Sequence, residues 1–379
     1  MTRSPRRVTL TIPSSARQNA IYESGVEKKS TGKVQPDIKF CNIDLRYRGL
    51  DNGRAIVTFY KHAMLKKLGL LLSVSLLTLA LSAQSLTSQP QTSFLYNPAG
   101  ITSPKVKPLR NLTDSRLQAS LWRELRTNEK WRALIDNKKM AVGLVDLHHP
   151  NNVRFATVNG NQMMYAASLP KIAILLAAMD ALEKKELPET DEILHDMKIM
   201  ISRSDNHAST RMIDRLGYKK IEQVLTDPRY KLYDRTYGGG LWVGKRYASS
   251  GARYPDPIQG LSHAATVSQV CRFYYLLAMG QLVTPERSAQ MMDIMKDPEL
   301  HHKFVNTLDQ VAPQADVYRK SGSWRNFHAD SALVMGPNRH YILVALIDDA
   351  AGETICRELV QAVEKVIQVK SANKTASAR

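Results

Sequence analysis

Three short polar motifs follow one another along the 379-residue chain: Ser168-Leu169-Pro170-Lys171, Ser204-Asp205-Asn206 and Lys320-Ser321-Gly322. Their residue types describe one chemistry. A serine hydroxyl is a weak nucleophile until a neighbouring base takes its proton. Residues three apart share a helix face, about 5–6 Å between Cβ atoms, so Lys171 can stand beside Ser168 as that base. The Ser204-Asp205-Asn206 and Lys320-Ser321-Gly322 motifs would then supply a proton shuttle and a cationic wall. Such a set performs acyl transfer through a covalent serine ester.

Each motif alone is weak. Ser371-Ala372-Asn373-Lys374 also satisfies Ser-x-x-Lys, in a polar tail without helical pattern. A pattern this loose is a hypothesis until its context supports it. Ser168 has that context: Arg154–Val158 before it alternates like a strand, and Lys171–Met179 after it is apolar nearly all round, as a buried helix is. Pro170 suits the first turn of that helix, where its missing N–H costs nothing. Ser168 thus falls at a helix N-terminus, where free N–H groups favour a developing negative charge. Taken singly, Ser168, Ser204 and Asn206 read equally well as helix caps, and Lys171 and Lys320 as surface lysines. Their joint order favours the site.

The elements that must position these residues are legible in outline. Leu117, Leu121 and Leu125 predict a first helix capped by Asp114 or Ser115. Met140–Asp146 and Arg154–Val158 read as two strands joined around Pro150-Asn151-Asn152. Helices are expected from Leu169 to about Leu308, including Ala208–Leu216 and Val267–Met279. Val317–Lys320, Ser331–Met335 and Tyr341–Ile347 are strand-like, and Glu353–Val369 is an amphipathic last helix. Strands at both ends around a helical middle imply an α+β fold: an antiparallel sheet flanked by helices, with an all-helical subdomain inserted. The serine would lie at the junction, a common place for pockets.

Composition narrows the function. The chain is basic, net charge +18, with 12 Lys/Arg against 5 Asp/Glu in residues 1–63 and no basic block interleaved with aromatics. No nucleic-acid partner is expected. Met64–Lys67, the apolar run Leu68–Leu81 and small Ala83 have the plan of a secretory signal over residues 64–83. The run is shorter than the ~20 residues a membrane span needs, so a secreted or periplasmic protein without a stable span is expected. Residues 1–63 form an upstream extension or reflect a true start at Met64, and 84–112 read as a Ser/Thr/Pro/Asn-rich linker. Cys271 and Cys356 could pair or remain as buried thiols; no Cys/His spacing implies a metal. Gly239–Lys245 nearly matches a phosphate-binding loop, but Arg246 stands where a Ser or Thr should hold Mg²⁺, so it is better read as a cleft wall. No cofactor is implied.

The ordered motifs resemble the class A β-lactamases and their penicillin-binding relatives. The resemblance covers about residues 113–370, leaving 371–379 as a polar tail. It implies a β-lactamase/transpeptidase-like fold and a monomeric serine hydrolase acylated by a β-lactam or a cell-wall peptide. Ser168 would be the nucleophile, Lys171 a base and Ser204 the shuttle. Asn206, Lys320, Ser321, Gly322 and Ser323 would bind substrate, with the N–H groups of Ser168 and Ser323 as oxyanion hole. Two departures bear on release of the acyl group. The family's water-activating glutamate has no counterpart: Tyr237 falls near its position in Leu232–Leu241. Ser168 and Ser204 also lie closer in sequence than the family places them, which opens the cleft. The resemblance therefore leaves open a turnover hydrolase, a non-turnover penicillin- or peptidoglycan-binding protein, and a D-Ala-D-Ala-type peptidase.

Overall fold

Helix α1 (Ser115–Leu125) begins where Asp114 accepts the Leu117 N–H, and it buries the three leucines expected of it. It belongs to a computed structural model that describes residues 106–149 and 152–368. The upstream extension, the signal segment, the polar tail and the Pro150-Asn151 turn lie outside the described residues. Within the expected linker, Leu109–Leu112 form a 3-10 turn with Leu109 buried, so the packed domain begins before residue 113.

After α2 (Glu129–Asp136), strands β1 (Met140–Asp146), β2 (Arg154–Val158) and β3 (Met164–Tyr165) lead to α3 (Lys171–Glu183), α4 (Asp191–Ser202), α5 (Asn206–Leu216) and α6 (Tyr218–Thr226). Four short strands follow: β4 (Tyr233–Asp234), β5 (Gly239–Gly240), β6 (Trp242–Val243) and β7 (His263–Ala265). Then come α7 (Val267–Ala278), α8 (Pro285–Met295), α9 (Phe304–Val311), β8 (Asp316–Trp324), β9 (Phe327–Gly336), β10 (Arg339–Asp348) and α10 (Gly352–Val366).

Five strands form the main sheet in the order β2-β1-β10-β9-β8, antiparallel throughout, so both ends of the domain build it. Side chains alternate between the faces of a strand. Met140, Val142 and Leu144 join a core with α1, α2, α9 and α10, whereas Ala141 and Val145 join the core of the inserted helices. Cys271 lies in one core and Cys356 in the other, both as free buried thiols, which excludes the disulfide. Gly143 permits the close seat of α7 on β1: a Cβ there would stand 2.6 Å from the Cys271 sulfur.

The inserted part is mainly helical, as expected, but it also carries the short ladders β3-β7-β6 and β4-β5. Their two- and three-residue strands are too short for alternation to reveal. Helix α3 runs through the centre of the insert, buried on every side. A buried Asp196 on α4 accepts from Arg211 and Arg215 on α5, fixing the turn between these helices.

Candidate active site

Ser168 sits in the turn before α3, and Pro170 occupies the cap position of the helix without a side-chain cap bond. The hydroxyl of Ser168 is therefore not spent as a helix cap. Lys171, one turn on, is fully buried. Its amine donates to the Ser204 carbonyl (2.6 Å) and Asn206 Oδ1 (2.8 Å), and lies 3.3 Å from Ser204 Oγ. It points at the Ser204–Asn206 turn and makes no hydrogen bond to the Ser168 hydroxyl among the described residues. The Tyr247 ring covers it, 4.5 Å from the nitrogen. Burial pulls its pKa down to about 7, with Asp205 opposing the shift.

Ser204 takes the left-handed backbone conformation, φ +60°, uncommon for a residue with a side chain. Its neighbour Asp205 caps α5 by accepting the Ala208 N–H, which leaves Asn206 on the first turn facing Lys171. From the opposite side, Lys320 on β8 donates to Ser204 Oγ at 2.9 Å and to the Ser321 carbonyl at 2.7 Å. Burial, Lys171 and Arg319 together push the Lys320 pKa well below the ordinary lysine value. With a neutral Lys171, the bonds form a directed chain: the Lys320 ammonium donates to Ser204 Oγ, whose proton points to the Lys171 lone pair.

Strand β8 is an edge strand of the main sheet. The Val317 carbonyl accepts from Asp297 N, outside that sheet. Backbone groups repeat their direction every second residue, so the Ser323 N–H faces the same open edge. Gly322 brings this edge onto the nucleophile's turn: a Cβ there would meet Ala166 O at 2.3 Å and Ser168 N at 2.6 Å. Any larger residue would separate the Ser323 and Ser168 amides.

A cavity of about 860 Å³ opens on this junction, lined by Ser168, Asn206 and Ser323. Lys320 and Ser321 are buried beneath it and do not line it. Lys245 and Arg246 of the glycine-rich segment form part of its wall, and no Asp or Glu lines it. Tyr237 does not reach it; its ring stacks on the Arg110 guanidinium instead.

Sequence reasoning missed the aromatic side of the cavity: Tyr165, Tyr247, His263, Trp324 and Phe327. Only Trp324, following directly on the Lys-Ser-Gly motif and strongly exposed, carried a readable signal. His263 Nε2 meets the Lys245 carbonyl at 3.0 Å, which makes it the protonated nitrogen and leaves Nδ1 a buried acceptor without partner among the described residues. Burial lowers its pKa to about 4, so this wall residue is neutral in neutral solution.

Residues 192–368 match the sequence model of the "Beta-lactamase enzyme family". Solved structures share the fold: a β-lactamase from Sphaerobacter thermophilus is 16% identical, with 68% of this chain and 99% of that one covered and a TM-score of 0.52. PBP-A is 19% identical over 70% of this chain and 99% of its own, TM-score 0.50. The matched segment and the shared fold support a relation to the β-lactamase/penicillin-binding serine hydrolases. A β-lactamase from Xanthomonas campestris gives TM-score 0.52 at 14% identity, covering 66% and 98% of the two chains. A comparison with curated protein sequences finds no match. The matched segment starts beyond Ser168 and Lys171, so these two join the family's other motifs through geometry. Among the described residues there is no cluster able to hold a metal, and no helix is long and apolar enough to cross a membrane.

Proposed function

We propose that this chain is an exported, penicillin-binding serine hydrolase that forms a covalent acyl-enzyme at Ser168 and releases it slowly. One observation carries the reading: Lys171 and Lys320, both buried, meet on the Ser204 hydroxyl beside the cavity that Ser168 lines. Burial holds Lys171 near neutrality, as a base needs. Ser168 Oγ would attack the carbonyl of a β-lactam or cell-wall peptide, its proton passing to Lys171. The oxyanion would rest on the Ser168 and Ser323 N–H groups, each worth roughly 2.7–4 kcal/mol. The C–N bond then breaks as Ser204 protonates the leaving nitrogen and recovers a proton from Lys171.

Substrate class follows from the wall. Lys245, on a wall without a carboxylate, suits an anionic ligand, Arg246 being held by Asp214 at 2.6 Å, and Trp324 and Phe327 suit an apolar side chain. The missing carboxylate also removes the usual activator of a hydrolytic water, which supports a long-lived ester. Among the structural relatives, a PBP-A variant was solved as its acyl-enzyme complex with penicillin G.

The test is incubation of the full-length protein with a fluorescent penicillin, followed by removal of free label. Label that persists for hours in the wild type and never forms in Ser168→Ala is expected. Loss within seconds would make the protein a turnover β-lactamase instead. No label, or equal label in Ser168→Ala, would end the proposal.

A further inference from the structure

Lys303, at the entrance to α9, is a fully buried cation to which the reaction above gives no task. Its backbone takes the uncommon φ of +56°. Its amine donates to the Gly322 carbonyl at 2.6 Å and the Ala329 carbonyl at 3.0 Å, and meets Ser323 Oγ at 2.8 Å. No carboxylate pairs with it among the described residues; the nearby Asp330 is held by Arg319. A cation so placed is costly to bury, and removing it would relieve that cost unless its contacts matter.

The contacts fall on one peptide. The Gly322 carbonyl and the Ser323 N–H belong to the same planar amide, whose resonance couples the oxygen to the nitrogen. A strong donor on the oxygen draws electron density from the nitrogen and makes its N–H a better donor; such cooperativity is worth perhaps 10–30% per bond. The Ser323 N–H is the group facing the Ser168 turn. The shortest bond, to Gly322, persists whether the amine carries three protons or two, because a neutral amine still donates twice and can accept from the Ser323 hydroxyl.

We propose that Lys303 is a positioning residue that polarises the Gly322–Ser323 peptide and thereby strengthens the Ser323 N–H toward the oxyanion and the acyl carbonyl. The inference rests on the acyl-enzyme reading and deepens it. Lys303 touches no substrate; it acts from the far side of β8 through the backbone.

The experiment compares full-length wild type and Lys303→Met by the rate of acylation with penicillin G and by the infrared stretch of the resulting ester carbonyl. The wild-type ester is expected at low frequency, and Lys303→Met should raise that frequency and slow acylation roughly tenfold, short of the 10²–10³ lost with a whole donor. A slower reaction with an unmoved carbonyl stretch would make Lys303 a structural pin and overturn the inference alone. Failure of the wild type to acylate would overturn the acyl-enzyme reading, and the inference with it. Should Lys303→Met fail to fold, the amide proton of Ser323 in the wild type decides. A shift downfield of the other β8 amides is expected; an ordinary strand value would refute polarisation.

Discussion

Arg319 and Lys320 are adjacent on β8, both buried, and they face opposite sides of the sheet. Arg319 is fully compensated: Asp330 accepts at 2.7 and 2.9 Å in a bidentate pair, and the Leu300 and His302 carbonyls take further donors. Among the described residues Lys320 meets only a hydroxyl and a carbonyl, and shares that hydroxyl with a second buried lysine. One face neutralises its cation and locks the β8–β9 hairpin. The other leaves two amines poised to exchange protons. Incomplete compensation, at a known cost in stability, is how a buried site keeps a lysine reactive.

The comparison breaks most visibly at Lys171. Lys171→Met removes the proposed base, and acylation is expected to fall by about 10²–10⁴. Because it also removes an uncompensated buried amine, the thermal midpoint should hold or rise. Lys320→Met should behave alike, with the larger loss for carboxylate-bearing ligands. A marked drop in the thermal midpoint for either variant would mean that these amines hold the fold.

Asp330→Asn is the opposite experiment. It strands Arg319 as a buried charge, and a loss of about 3–5 kcal/mol in urea unfolding is expected. Acylation per folded molecule should change only a few-fold. If stability survives while acylation collapses, the two faces have been assigned the wrong way round.

The sequence disclosed these faces unevenly. The sheet strands and α1 were legible because five- to eleven-residue elements show their period, and Asp114 signalled a cap that the structure uses. The catalytic set was legible because its members occur in motifs with fixed spacing. Asp330 and Lys303 were not: each looks like an ordinary polar residue until the hairpin register and the α9 entrance place it against Arg319 or Gly322. His263 and Tyr247 were hidden for the same reason, since the three-residue β7 and the loop after β6 that position them carry no periodicity. The expected contact between Lys171 and Ser168 also took another form. Sequence spacing sets which face a lysine leaves the helix on, but the turn holding Ser204 decides where its amine ends.

The sharpest test of the state of Lys171 is the dependence of acylation on pH. A lysine free in water keeps its proton until about pH 10.4. Here burial lowers that value to about 7, Asp205 drawing it partly back. The reaction consumes the unprotonated amine, so acylation should rise about tenfold per pH unit below 7 and level off above it. Lys320 must stay charged to attract a carboxylate, and its own depressed pKa places a falling limb below the ordinary lysine range. Both limbs belong to the coupled pair, since the two amines share one hydroxyl. His263 titrates near 4, too low to produce the rising limb, and an inflection there would transfer the base to the imidazole. Rapid-mixing measurements from pH 5 to 9 separate these cases. A rising limb displaced above pH 9 would show that the pocket stabilises the Lys171 ammonium, and the contrast between the two faces of β8 would then lose its chemical meaning.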